Sequence, residues 1–130
     1  MKPYLLDASA VVELLSRGPL ESELVASLDS CPIVFSTPIT RLESGLVLIG
    51  GRNWKRPDFD RSFDTLGTIE IPIDAEIGRL ALDAFERYGR GRHKAKLNFG
   101  DCLSYATARR HGLKLLYVGR DFAATDVARA

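Results

Sequence analysis

Cysteine and histidine are both scarce in this chain, with two of each. Cys31 and Cys102 lie far apart and lack metal-ligand or redox spacing, so a thiol metal site is excluded. They read as reduced, packed side chains of a cytoplasmic protein. His93 and His111 sit within basic clusters and read as surface residues. No apolar run approaches the length of a membrane span, and the start Met1-Lys2-Pro3-Tyr4 soon reaches an acid at Asp7. The expectation is therefore neither a transmembrane helix nor a secretory signal. Internal repeats and low-complexity segments are absent. An excess of either charge is also missing, since the formal net charge is +1. The sum thus says little about a nucleic-acid partner, and distribution matters more. Arg87, Arg90, Arg92, Lys94 and Lys96 fall in one short stretch with His93, and Arg109, Arg110 and His111 form a second.

What the chain does have is an ordinary globular composition, 45% hydrophobic and 27% charged over 130 residues. That length suits one domain, residues 1–130, around a single core. Tyr4 to Asp7 reads as a short buried strand. Ser9 is positioned to cap a helix to Ser16, and Pro19 suits the first turn of a second helix ending near Ser30. Ile33-Val34-Phe35 is a second strand. Thr37-Pro38 reads as the cap and first turn of a helix ended by Gly50-Gly51. Pro57 starts a further helix to about Leu66, and Glu70 to Ile73 is a third strand. Asp74 caps a helix to Tyr88, Gly89 to Leu97 is a basic loop, and Asn98 caps a helix stopped by Gly112. Leu115 to Val118 is the last strand. Short apolar strands separated by helices imply an α/β fold whose short parallel central sheet is covered on both faces.

Four acids stand out from this pattern: Asp7, Glu43, Asp101 and Asp121. Asp7 closes an apolar run, and Asp121 follows shortly after another. Asp101 lies in the first turn of a helix, and Glu43 in the second turn of one that follows a strand. Parallel sheets place ligand sites beyond the carboxyl ends of their strands, and helix starts lie at that same edge. The four acids are therefore expected to converge. Other acids have a cation at helical spacing: Glu13 with Arg17, Asp83 with Arg87, Glu86 with Arg90, Asp60 with Arg56, and Glu76 with Arg79. Glu43 has none and borders the apolar stripe Ile39, Leu42, Leu46 and Ile49. Singly, Asp7 also reads as a helix cap, Asp101 as a capping-box residue and Asp121 as a turn residue.

Two carboxylates about 5 Å apart repel by roughly 3 kcal/mol at an effective dielectric of about 20. Four in one pocket must share protons or hold a cation. An all-oxygen donor set favours Mg²⁺ or Mn²⁺ over zinc.

Leu5-Leu6-Asp7-Ala8-Ser9, Leu42-Glu43-Ser44-Gly45, Leu97-Asn98-Phe99-Gly100-Asp101-Cys102 and Gly119-Arg120-Asp121-Phe122, with Thr125-Asp126, resemble the PIN-domain ribonucleases in order and at comparable intervals. Within that family the pattern is most similar to the VapC toxins of toxin–antitoxin pairs. The resemblance implies a PIN-like three-layer α/β/α fold. It implies Asp7 and Asp101 as Mg²⁺ ligands, with Glu43 and Asp121 completing the pocket and Asp126 adding weakly. It also implies Ser9 supporting the first acid and Asn98 the third. Arg120 replaces an acid or polar residue usual before the fourth acid.

The implied reaction is hydrolysis of RNA phosphodiesters by an activated water, leaving 5′-phosphate and 3′-hydroxyl ends. Transfer RNA or a ribosomal RNA loop is the expected substrate. Arg90, Arg92 and Lys94, just ahead of the helix carrying Asp101, are the candidate RNA contacts. Trp54, an aromatic among cations, reads as cover for a core edge or a subunit contact in preference to a base-stacking platform. The implied partners are a second copy of the chain in a homodimer and a cognate small antitoxin in a larger hetero-oligomer. Val11, Val12, Leu14, Leu15, Leu24, Val25 and Leu28 of the first two helices offer a groove for the antitoxin. Rival readings are a non-catalytic PIN-like interaction module and an aspartyl-phosphate phosphatase or receiver domain. The phosphatase would want an Asp where this chain has Ser9.

Overall fold

The computed structural model describes residues 2–130. Its elements are β1 (Tyr4–Leu6), α1 (Ala8–Leu15), α2 (Glu21–Asp29), β2 (Val34–Ser36), α3 (Pro38–Gly45), α4 (Arg56–Thr65), β3 (Ile69–Glu70), α5 (Ala75–Tyr88), α6 (Phe99–His111) and β4 (Lys114–Leu116). A π-helical turn, Leu46–Gly50, extends α3, and a short 3₁₀ turn spans Phe122–Ala124.

The four strands form one parallel sheet in the order β3-β2-β1-β4. Successive residues of a strand face opposite ways, and that period sorts the core into two. Leu5 and Leu115 pack with Ile77, Ala81, Ala84 and Ala106 of α5 and α6. Leu6 and Leu116, one residue on, pack with Val11, Leu14, Leu24, Phe59 and Phe63 of α1, α2 and α4. The result is the expected three-layer α/β/α architecture. Trp54 packs against the second cluster, as expected of a residue covering a core edge.

Helix starts follow the sequence signals closely. Thr37 accepts from the backbone N–H of Ile39 (3.1 Å) and Thr40 (3.2 Å), and Thr40 Oγ1 accepts from Thr37 N–H at 3.1 Å. Asp74 accepts from Ile77 N–H at 2.9 Å, and Gly112 ends α6 in the left-handed conformation at φ 65.

The structure corrects several local expectations. The first helix begins at Ala8 and its cap is Asp7, not Ser9. Pro19 precedes α2 instead of sitting in its first turn. Of the expected helical ion pairs, only Arg56–Asp60 forms among the described residues, at 2.9 Å. Arg17 has left the helix at φ 53, and Glu13 instead accepts from Leu20 N–H at 2.8 Å. Arg87 faces Asp126 at 3.6 Å, and Glu76 pairs with Arg110 at 2.9 Å. At Arg87 and Glu76 tertiary partners displaced the local ones, because exposed helical pairs contribute only a few tenths of a kcal/mol.

The stripe on α3 differs as well. Leu42 and Leu46 are 55% and 64% exposed, and they line a cavity of about 470 Å³ between α3 and α4. The apolar residues of α1 and α2 largely turn inward, leaving Val25 as the exposed one of the set expected to form a groove.

Leu115 is fully buried at the centre of this arrangement. Leu115→Ala should cost about 2–5 kcal/mol, read as a lower urea midpoint. Leu82→Ala, at a position 63% exposed, should stay within about 0.5 kcal/mol.

Candidate active site

Strand order reverses between β1 and β4, since the chain runs outward from β1 through β2 to β3 and returns beside β1 as β4. Such a switch point opens a crevice at the strands' carboxyl ends. Asp7 directly follows β1, and the Gly119–Asp121 segment follows β4.

Asp7 is 3% exposed, and its two oxygens are engaged from different elements. Oδ2 accepts from Ser9 N–H at 3.0 Å and Ser9 Oγ–H at 2.7 Å. Oδ1 accepts from Ser104 Oγ–H of α6 at 2.7 Å. Ser9 Oγ also accepts from Val118 N–H at 3.0 Å, which ties the segment after β4 to α1. Ser9 thus stands where a phosphatase would carry a second Asp, and its hydroxyl is committed to holding the first.

Asp101 is fixed by a reciprocal capping box at the start of α6. Its N–H donates to Asn98 Oδ1 at 2.9 Å, and its Oδ2 accepts from Asn98 N–H at 3.1 Å. Its carboxyl is pushed up to about 7 from 3.8, first by burial and then by the charges of Asp7, Asp121 and Glu43, against the lowering effect of the Asn98 bond. Glu43 is half-buried and likewise pushed up to about 7, by burial first and by Asp7 second. The four acids are therefore electrostatic neighbours. Asp121 is the exposed member, and its side chain caps nothing.

Two contributors escaped the sequence reading. Ser104 lies three residues beyond Asp101, on the same helical face, and that spacing was the available signal. Gly100 is the other. A Cβ there would meet the Glu43 carboxylate, so glycine leaves room for that acid where it stands against the start of α6. Asp126, expected as a weak pocket member, is engaged elsewhere: it accepts from the Tyr105 hydroxyl and faces Arg87 and Arg109 at 3.6 and 3.8 Å. These contacts hold its carboxyl below the usual range, the tyrosine bond first, and burial and that same bond push the Tyr105 hydroxyl up. Burial and then Asp101 raise the Cys102 thiol, so it is no reactive nucleophile.

The basic loop is ordered by its backbone. Arg90 N–H donates to Leu97 O and Leu97 N–H to Tyr88 O, each at 3.0 Å. His93 is structural here, accepting from Ala95 N–H at 3.0 Å and packing edge-on against Tyr88. Arg90, Arg92 and Lys94 remain exposed. They stand ahead of α6 with no ion pair among the described residues, whereas Arg87 is taken up by Asp126.

The PIN domain profile matches residues 4–128. The Ribonuclease VapC of Mycolicibacterium smegmatis is 34% identical over 129 residues, covering 95% of this chain and 96% of the relative. Among solved structures, the Sarcin-Ricin loop cleaving toxin VapC20 of Mycobacterium tuberculosis superposes with a TM-score of 0.78 at 16% identity, covering 98% of both chains. A toxin-antitoxin complex from Klebsiella pneumoniae does so at 0.73 and 24%, covering 98% of this chain and 96% of its counterpart. The structural likenesses bear on the fold, and the profile and sequence relative on kinship. The chain belongs to the PIN-domain family and, within it, to the VapC ribonucleases.

The donor set suits a divalent cation. Its atoms are hard oxygens, and two of its carboxyls are raised by burial first and then by neighbouring negative charge, which a cation would offset. Among the described residues, no three Asp, Glu, Cys or His side chains form a ready-made cage. Mg²⁺ asks for less, because it keeps several waters and is commonly bound through one or two carboxylates.

The raised carboxyls carry a sign for stability. Between the ordinary values of 3.8 and 4.5 and the raised values near 7, the fold binds more protons than the unfolded chain. The contribution is thus fully present below about pH 4 and lost as pH rises through about 7. Melting in EDTA should show Asp101→Asn to lose less stability than the parent between about pH 5 and pH 8. A divalent cation should restore the parent at the higher pH. Parallel profiles for parent and variant would contradict this account.

Proposed function

We propose that the chain is a Mg²⁺- or Mn²⁺-dependent endoribonuclease acting as the toxin of a toxin–antitoxin pair. The observation that carries the reading is the placement of Asp7, bonded by Ser104 of α6, with Asp101 at the start of that helix and the Glu43 carboxylate against Gly100, at the crevice of a VapC-family fold. Asp7 and Asp101 are the residues to hold the ion, since each is buried and oriented by hydrogen bonds. When bound, the ion supplies polarisation of a phosphoryl oxygen and a more acidic water. Ser9 and Ser104 keep the two oxygens of Asp7 in place, and Asn98 does so for Asp101. Glu43 and Asp121 complete the negative wall, and a pocket carboxylate receives the proton lost by the attacking water.

An acidic crevice repels a polyanion, so RNA must be held beside it by cations. Arg90, Arg92 and Lys94 on the ordered loop meet that need. The substrate class is transfer RNA or an exposed ribosomal RNA loop. The VapC20 likeness, described as cleaving the sarcin–ricin loop, supports the second. The partner is a small antitoxin, which the likeness to a toxin-antitoxin complex supports. The free toxin is a homodimer in the cytoplasm, and with the antitoxin it forms a larger hetero-oligomer.

Asp7→Asn and Asp101→Asn should each lower RNA cleavage by roughly a hundredfold or more and relieve growth inhibition, with circular dichroism unchanged. Cleavage and toxicity surviving in both would overturn the catalytic reading and favour an interaction module. Neutralising Arg90, Arg92 and Lys94 together should weaken RNA binding and flatten its salt dependence, by roughly 0.7 in log–log slope for each phosphate no longer neutralised. An unchanged slope would remove this loop from the RNA path.

A further inference from the structure

A second network sits on α6 one turn beyond Asp101, outside the acid pocket. Tyr105 is 7% exposed, and its hydroxyl donates to Asp126 Oδ1. Asp126 Oδ2 faces Arg87 of α5 and Arg109 of α6, at 3.6 and 3.8 Å. The segment leading back to Asp121 is short and pinned. Phe122 is buried with its ring centroid 5.1 Å from that of Tyr117, and Thr125 N–H donates to Phe122 O at 3.0 Å. Beyond Asp126 the chain pairs with β4, through Leu115 N–H to Ala128 O at 2.8 Å and Ala130 N–H to Leu115 O at 3.0 Å. On the other side Val118 N–H donates to Ser9 Oγ at 3.0 Å, and Gly119, at φ 101, lets the backbone turn between that bond and Asp121. Asp121 itself is exposed and makes no capping bond. Its place beside the pocket is therefore set from its carboxyl-terminal side.

We propose that Tyr105 and Asp126 are positioning residues: their hydrogen bond, one turn along α6 from Asp101, anchors the segment carrying Asp121 and sets where the fourth acid stands. The use of that acid in cleavage rests on the ribonuclease reading, whereas the anchoring does not.

Two measurements on the full chain separate the two. In hydrogen exchange, Tyr105→Phe and Asp126→Asn should speed exchange of residues 119–125 by roughly tenfold, with α1 and α6 unchanged. In cleavage of a fluorophore-quencher RNA oligonucleotide with Mg²⁺, Tyr105→Phe should lower kcat by roughly tenfold and leave KM nearly unchanged. Added to Asp121→Asn, it should cause no further loss, because both changes act through one group. Unchanged exchange at 119–125, or losses that multiply in the double variant, would overturn the proposal. Should Asp126→Asn fail to fold, Tyr105→Phe removes a single oxygen and carries the test. A parent chain that cleaves no RNA, while Tyr105→Phe still loosens 119–125, strikes the ribonuclease reading and supports the anchor.

Discussion

Repulsion between carboxylates gathered at one end of a parallel sheet is the constraint on which the rest of this structure turns. Folding brings Asp7, Glu43, Asp101 and Asp121 to the switch point between β1 and β4, and burial weakens the screening that would make them harmless. The chain answers with donors. Asp7 receives three hydrogen bonds, Asp101 is held in a capping box, and among the described residues no buried side-chain nitrogen or oxygen lacks a partner. Donors orient the carboxylates without cancelling their charge. Glu43 and Asp101 remain poised to take a proton or a cation, which is the condition a hydrolytic pocket requires.

Helix α6 carries most of that organisation. Its first turn supplies Asn98 and Asp101, its next supplies Ser104 to Asp7 and Tyr105 to Asp126, and Arg109 follows on the same side. Its buried face is unusually continuous, with Gly100 through Ala108 all shielded from water. Such a helix belongs in the middle of a domain, and here it packs against α5, α3 and β4. Placing the third acid on the most buried helix, and then hanging the first and fourth acids from that helix, makes pocket geometry a property of the core.

Much of the fold was legible because its signals are local. Thr37-Pro38, Asp74, Asn98 and Gly112 mark helix ends by chemistry that acts within three or four residues, and the structure places the ends there. The short apolar strands likewise announced a covered parallel sheet. What could not be read is whatever depends on partners distant in sequence. The pairs Asp83–Arg87 and Glu76–Arg79 failed because Asp126 and Arg110 draw off Arg87 and Glu76 from other elements. Leu42 and Leu46 share an apolar stripe with Ile39 and Ile49, yet those two isoleucines pack on the core while Leu42 and Leu46 face outward. Gly100 carries no sequence signal of its role at all, since the collision it avoids is with a carboxylate from another helix.

The convergence of the acids was legible for a different reason. Topology alone brings strand ends and helix starts to one edge in a βαβ chain, so placement could be inferred without any distance. The physical basis of rank within the pocket could not. By placement Asp121 resembles Asp7, since each follows an apolar strand. Asp7 is engaged by Ser9 and Ser104, whereas Asp121 stands in water on a short turn. An exposed acid is screened, so its field at Asp101 is weak unless the backbone holds it close. The contribution of Asp121 is therefore a matter of how firmly residues 119–126 are held, and only the folded chain reveals the grip on that segment.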